Sequence, residues 1–150
     1  VKNVAPKSKY EIPLPRSYGP PITKPVTAPP RSDKLAYGAY LAGPLGHCIE
    51  CHTPLAANGR SEFDTLLGAG GRQFQGPFGV SVSKNITSDP VEGLGKWTDA
   101  EIERAIRKGI DKNGDALKPP MGFAYYDKIS ADDMAALIAY LRSLPPRKTP

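Results

Sequence analysis

Every cysteine and every histidine of the chain falls within residues 47–52, inside the stretch GHCIECHT. Core packing does not call for that concentration, and two cysteines so close together cannot staple a disulfide scaffold. Cys48-Ile49-Glu50-Cys51-His52 is the C-x-x-C-H pattern of covalent haem c attachment. Thiols three residues apart reach the two vinyl groups of one haem, and the adjoining His52 offers its imidazole to the iron from the same side. A structural zinc site takes four ligands, and no cysteine or histidine lies elsewhere to complete one. A thioredoxin-like dithiol needs a βαβ context, which the pattern lacks. The cluster therefore predicts one haem c, bound through Cys48 and Cys51, with His52 as proximal ligand. His47, crowded beside Cys48, receives no ligand role.

The rest of the composition agrees with a small domain built around such a group. At 150 residues and 39% hydrophobic content the chain has material for one modest core. No apolar run approaches the ~18 residues of a membrane span. The chain starts at Val1 without an initiator Met or a signal-like apolar segment, which predicts a processed form or a piece of a longer protein. The net charge of +5 is carried entirely by residues 1–31, and the remaining residues balance. A nucleic-acid binder places its basic surface on the folded part, so that class is disfavoured.

Residues 1–31 hold eight of the seventeen prolines. Proline fixes φ and removes a donor, which predicts an extended arm rather than a helix or central strand. The arm is a linker, or it lies along this domain or a partner subunit with Tyr10, Ile12, Leu14, Tyr18 and Ile22 to bury. The haem domain is expected over 32–150. SDKLAYGAYLA reads as a short capped helix with Leu35, Tyr37, Tyr40 and Leu41 on one stripe. Residues 54–96 read as loop, with a short ribbon in FGVSVSKNIT, and a loop that long needs something large to organise it. Thr98 and Glu101 form a capping box before a helix carrying Ile102, Ala105 and Ile106. Ser130 caps a last helix with Met134, Leu137, Ile138 and Leu141 on its apolar stripe, ended by Pro145 and Pro146.

The distal ligand decides the chemistry, because a thioether favours electron transfer and an open position invites oxygen or peroxide. Met134 lies on the buried stripe, where methionine is usually filler. Met121 lies in LKPPMGF, a loop stiffened by Pro119 and Pro120, and is the favoured ligand, with Met134 or an open site as alternatives. DKNGD (111–115) begins like a calcium loop, but its twelfth position is Gly122 instead of glutamate. An Asn-Gly turn is the better reading.

With these residues placed, the sequence resembles the class I cytochromes c, a mainly α fold of few helices around one covalent haem. More narrowly, residues 34–146 look like one haem domain of the cytochrome c subunits of bacterial periplasmic alcohol and gluconate-type dehydrogenases. The resemblance rests on GAYLAGPLGHCIECHT, KNITSDPVEGLGKWTDAEIERAIRKGI, LKPPMGFAYYDKIS and DDMAALIAYLRSLPP. It implies that Asn85, Ile86, Thr87 and Trp97 line the haem pocket, that Arg72 partners a propionate, and that Tyr125 and Tyr126 pack on the haem edge or the last helix. Those subunits commonly carry three haem motifs, and this chain has one.

The function expected is one-electron transfer by a His/Met-ligated monohaem cytochrome, with no catalytic residues of its own. It would relay electrons between a periplasmic dehydrogenase or similar donor and a respiratory acceptor. The rivals are a permanent subunit or domain of a larger dehydrogenase complex and, further off, a peroxidase-like or gas-sensing protein with an open distal site. Redox proteins are the expected partners, with the basic arm as a docking element. The expected location is the bacterial periplasm, with any membrane attachment left to a partner or a removed anchor.

Overall fold

The computed structural model describes residues 23–25 and 27–150. The arm residues Tyr10, Ile12, Leu14, Tyr18 and Ile22 lie outside them. Residues 27–30 have no regular structure, and Arg31 docks: its Nη1 lies 3.0 Å from Asp133 Oδ1, and its guanidinium sits 5.2 Å above the Tyr37 ring.

Two helices from opposite ends of the folded sequence meet face to face. Helix α1 (Lys34–Tyr40) starts at Asp33, whose carboxylate accepts the Ala36 amide at 3.0 Å. It packs on α6 (Ala131–Ser143), capped by Ser130 and carrying Asp132 and Asp133 in its first turn, where they complement the helix dipole. Gly38 permits the crossing. A Cβ there would collide with the Ala136 carbonyl oxygen and lie 2.7 Å from Tyr140 Cβ, so the two backbones touch where a side chain would separate them. Leu35 departs from the expected stripe and is 53% exposed, whereas Tyr37 is buried. The crossing turns the face bearing Gly38 inward, and Leu35 falls outside it.

At Leu41 the first helix widens into a π-helical turn, Leu41–Leu45, with Pro44 inside it. Gly46 donates to the Leu41 carbonyl five residues back, at 2.7 Å. His47 then takes a left-handed conformation (φ 54°) and opens the one-turn helix α2 (Cys48–Cys51). A further one-turn helix, α3 (Phe63–Leu66), precedes a two-stranded hairpin. In that hairpin β1 (Gln73–Gly76) pairs antiparallel with β2 (Gly79–Val82), Gln73 opposite Val82. The expected ribbon is therefore present, and it begins earlier than the FGVSV run.

Helix α4 (Asp99–Lys108) carries both halves of the Thr98/Glu101 capping box and ends at Gly109 in the left-handed region (φ 63°). The Asn-Gly turn follows, with Asp111 Oδ1 accepting the amides of Asn113 and Asp115 at 2.8 and 3.0 Å. Short helix α5 (Phe123–Tyr126) packs on α4. The core joins Ala42, Leu94, Ile102, Ile106, Met134, Leu137, Ile138, Leu141 and Leu144. No described helix is long and apolar enough to cross a membrane.

Candidate haem site

The core does not close completely. A cavity of about 200 Å³ remains between the π turn, α2, α4, α5 and α6, and its wall brings together residues far apart in sequence. Leu41, Leu45, Gly46, Cys48 and His52 come from residues 41–52, and Ile86 and Ile106 from further along the chain. Met121, Tyr126, Ile129, Asp133, Leu137 and Leu141 complete the lining.

Each donor is positioned by its local backbone. The π turn and the left-handed His47 aim α2 so that Cys48 Sγ lies beside Gly46, where an added Cβ would meet Cys48 Sγ at 3.3 Å and the Leu41 carbonyl oxygen at 2.6 Å. Burial pushes the Cys48 thiol up to about 11. The thiol is therefore neutral at ordinary pH, in a wall that is otherwise almost wholly hydrocarbon. Cys51 is half-buried at the other end of α2, outside the cavity lining, and no disulfide joins the two.

His52 is half-buried, and its Nδ1 lies 2.6 Å from the Lys84 carbonyl oxygen. A carbonyl only accepts, so Nδ1 carries the proton and Nε2 keeps a free lone pair. Burial lowers the His52 pKa, with the Lys84 carbonyl opposing it. Burial is the larger effect and favours the neutral imidazole that ligates a metal, while the Lys84 carbonyl fixes which nitrogen keeps the proton. The loop around it is tight: the Gly70 amide donates to the His52 carbonyl at 2.8 Å. A Cβ on Gly70 (φ 76°) would lie 2.7 Å from Ser83 O, Lys84 C and Asn85 N.

Met121 is half-buried on the same wall, while Met134 is 1% exposed in the core and absent from the lining. Tyr126 stands near Met121 and donates its hydroxyl to the Gly46 carbonyl at 2.8 Å, tying the methionine loop to the π turn. Arg107 braces the same loop, its Nη1 donating to the carbonyls of Tyr126, Asp127 and Ile129 at 3.4, 3.0 and 2.7 Å. Nothing in the local sequence marks Arg107 or Gly46 for these roles, because both act on segments distant along the chain.

The other residues named from the sequence are placed as follows. Ile86 lines the cavity. Asn85 and Thr87 are buried, but their side chains engage each other and the segment after α6. Trp97 packs half-buried against the core, and its carbonyl accepts from Arg142 Nη2 at 2.7 Å. Arg72 donates from Nη1 to the Glu50 carbonyl at 2.9 Å and lies 5.2 Å over the Phe74 ring. Tyr125 is 83% exposed, and Tyr126 takes the place on the wall instead. Exposed His47 pairs with Glu50 at 2.9 Å and lies outside the cavity lining. Among the described residues no three His, Cys, Asp or Glu side chains gather to hold a metal ion.

An apolar cavity bordered by a thiol, an imidazole with a free Nε2 and a thioether fits a haem, whose porphyrin needs hydrocarbon walls and whose iron takes nitrogen and sulfur ligands. Comparison with known proteins agrees. The sequence profile of the cytochrome c family matches residues 35–145, so the chain belongs to the cytochrome c family, which implies covalent haem c.

Within that family its relatives include dehydrogenase subunits. Over 103 residues it is 43% identical to the cytochrome c subunit of the quinone alcohol dehydrogenase of Gluconacetobacter polyoxogenes, covering 69% of this chain and 20% of that protein. It is 39% identical over 103 residues to the gluconate 2-dehydrogenase cytochrome c subunit of Pantoea cypripedii, covering 69% of this chain and 21% of that protein. A diheme cytochrome c-type protein of Cereibacter sphaeroides is 31% identical over 129 residues, covering 83% and 43% respectively. The chain thus spans less than half the length of each of these relatives.

Proposed function

We propose that this chain is a one-electron carrier that would hold a single haem c through Cys48 and Cys51, with His52 and Met121 as the side chains that would ligate its iron. When bound, the haem supplies a reversible Fe(III)/Fe(II) couple that passes one electron between protein partners. The observation that carries the reading is the meeting of Cys48, His52 and Met121 on the wall of one apolar cavity, with Met134 elsewhere.

The chain's own residues hold and insulate. Leu41, Leu137 and Leu141 exclude water, and the Lys84 carbonyl keeps the His52 proton on Nδ1. Tyr126 and Arg107 hold the Met121 loop against the π turn and α4. A thioether donor favours the reduced state and fills the position that oxygen or peroxide would otherwise take. No residue of the wall is assigned acid–base or nucleophilic work. The arm and the folded part divide at residue 31, and the whole acts in an oxidising, periplasm-like compartment.

Optical spectra of the purified protein in both oxidation states, beside Met121→Ala, test this directly. The expected ferric spectrum is low-spin with the weak far-red sulfur-to-iron band, and Met121→Ala abolishes that band. A high-spin ferric spectrum in the unmutated protein, with carbon monoxide binding to its reduced form, overturns the carrier reading in favour of a catalytic or sensing one.

The naming of its relatives as cytochrome c subunits of alcohol and gluconate dehydrogenases favours a second reading, in which the same domain is a permanent part of a dehydrogenase complex. Deleting residues 1–30 separates the two. Lost affinity for the dehydrogenase supports the complex, and unchanged affinity leaves the arm a linker.

A further inference from the structure

The peptide that holds His52 is itself held from an unexpected direction. The Lys84 carbonyl accepts the His52 Nδ1–H, and the next residue, Asn85, is only 4% exposed. All of the Asn85 side chain's polar capacity is spent on a local network. Its Oδ1 accepts from the Thr87 amide at 2.9 Å and from Thr87 Oγ1 at 2.7 Å. Its Nδ2 donates to the Arg147 carbonyl at 2.7 Å and reaches Thr149 Oγ1 at 3.4 Å.

The segment after α6 returns these contacts. The Arg147 amide donates to Thr87 Oγ1 at 3.2 Å, and Thr149 Oγ1 donates to the Ala69 carbonyl at 2.9 Å. The Thr149 amide donates to Glu92 at 2.7 Å, and Lys148 Nζ lies 3.2 Å from Asp89 Oδ2. Residues 147–149 therefore clasp both segments around His52: the 69–70 turn, which accepts and donates beside its backbone, and the 84–87 loop, which supplies its carbonyl.

We propose that this segment, acting through Asn85, is a positioning device for the proximal histidine and sets how strongly His52 Nδ1–H is held by Lys84. The proposal rests on His52 ligating the haem iron, as read above. An N–H held by a carbonyl makes the imidazole a stronger electron donor. A stronger donor stabilises the ferric charge, so a firm clasp lowers the reduction potential and a loosened one raises it. Asn85 and Thr149 are positioning residues here, since neither lies on the cavity wall.

Two uncharged variants of the full chain, Asn85→Ala and Thr149→Val, test the device without adding or removing charge. Thr149 is exposed, so its variant keeps the fold if burial of Asn85 makes the other unstable. Two readouts are taken on the haem-loaded protein: the midpoint potential, and solvent exchange of the His52 Nδ1 proton by NMR in the reduced state. The expected result is a higher midpoint potential with exchange at least tenfold faster, larger for Asn85→Ala than for Thr149→Val. If either readout keeps its unmutated value in every variant that folds, the proposal is overturned and the segment is a surface strap only. Failure of the ligation reading shows separately, as a high-spin spectrum of the unmutated protein.

Discussion

Gly46 and Tyr126 show how single residues set the cavity's shape. The Tyr126 hydroxyl reaches a carbonyl eighty positions back in sequence, at the point where a side chain on Gly46 would press on Cys48. Tyr126→Phe removes the donor and leaves the Gly46 carbonyl half-buried without its partner. The expected loss is about 1 kcal/mol in chemical denaturation, with the haem's spectrum retained because the ring still covers the wall. Burial also raises the Tyr126 pKa, so its phenol should ionise above the ordinary tyrosine range in an alkaline absorbance titration compared with Tyr126→Phe. At this scale the sequence was legible where the signal is local, since the C-x-x-C-H run from Cys48 to His52 points to the cytochrome c family that the profile match shows. It was ambiguous for Tyr125 and Tyr126, because adjacent residues on a one-turn helix point to different sides and no longer period exists to tell them apart.

The helices carry the same lesson one level up. The caps and stripes of α4 and α6 were legible because cap, dipole and period all act within a few residues. What joins α1 to α6 was not, since Gly38 reads simply as a weak helix former until the partner backbone is beside it. Gly38→Ala should therefore cost about 1–3 kcal/mol or more, despite alanine's better helix propensity. Thermal melts of the holoprotein measure it, and an unchanged or raised midpoint would mean the crossing relaxes to admit a methyl. The π turn at Leu41–Leu45 was likewise unseen. Pro44 reads as a helix stop, yet the wider turn absorbs it and carries Leu41, Leu45 and Gly46 onto the cavity wall.

For the whole molecule, the contacts that tie the end of the chain back to its middle are partly electrostatic. The amides of Glu92 and Val91, with Lys148, hold the Asp89 carboxyl below its usual range, and the Thr149 amide does the same for Glu92. A carboxylate with a lowered folded pKa adds stability that is complete above its unfolded value. That stability fades as pH falls from about 4 through the lower folded value. Protection of the Thr149 amide from hydrogen exchange should therefore be level near neutrality and fall below about pH 4. The α4 amides should stay protected over the same range at first. Simultaneous loss at both places would mean that the clasp and the helices unfold as one unit.

Sequence alone determined the family of this protein. The C-x-x-C-H spacing is a covalent requirement met within five residues, and helix caps and apolar stripes are equally short-range. Tertiary structure decided which methionine borders the cavity, which tyrosine covers it, and what holds the carbonyl behind His52. Those choices join residues 46 with 126, 52 with 84, and 85 with 147. No local propensity encodes such pairs, because each exists only when packing has already brought two distant backbones within hydrogen-bond reach.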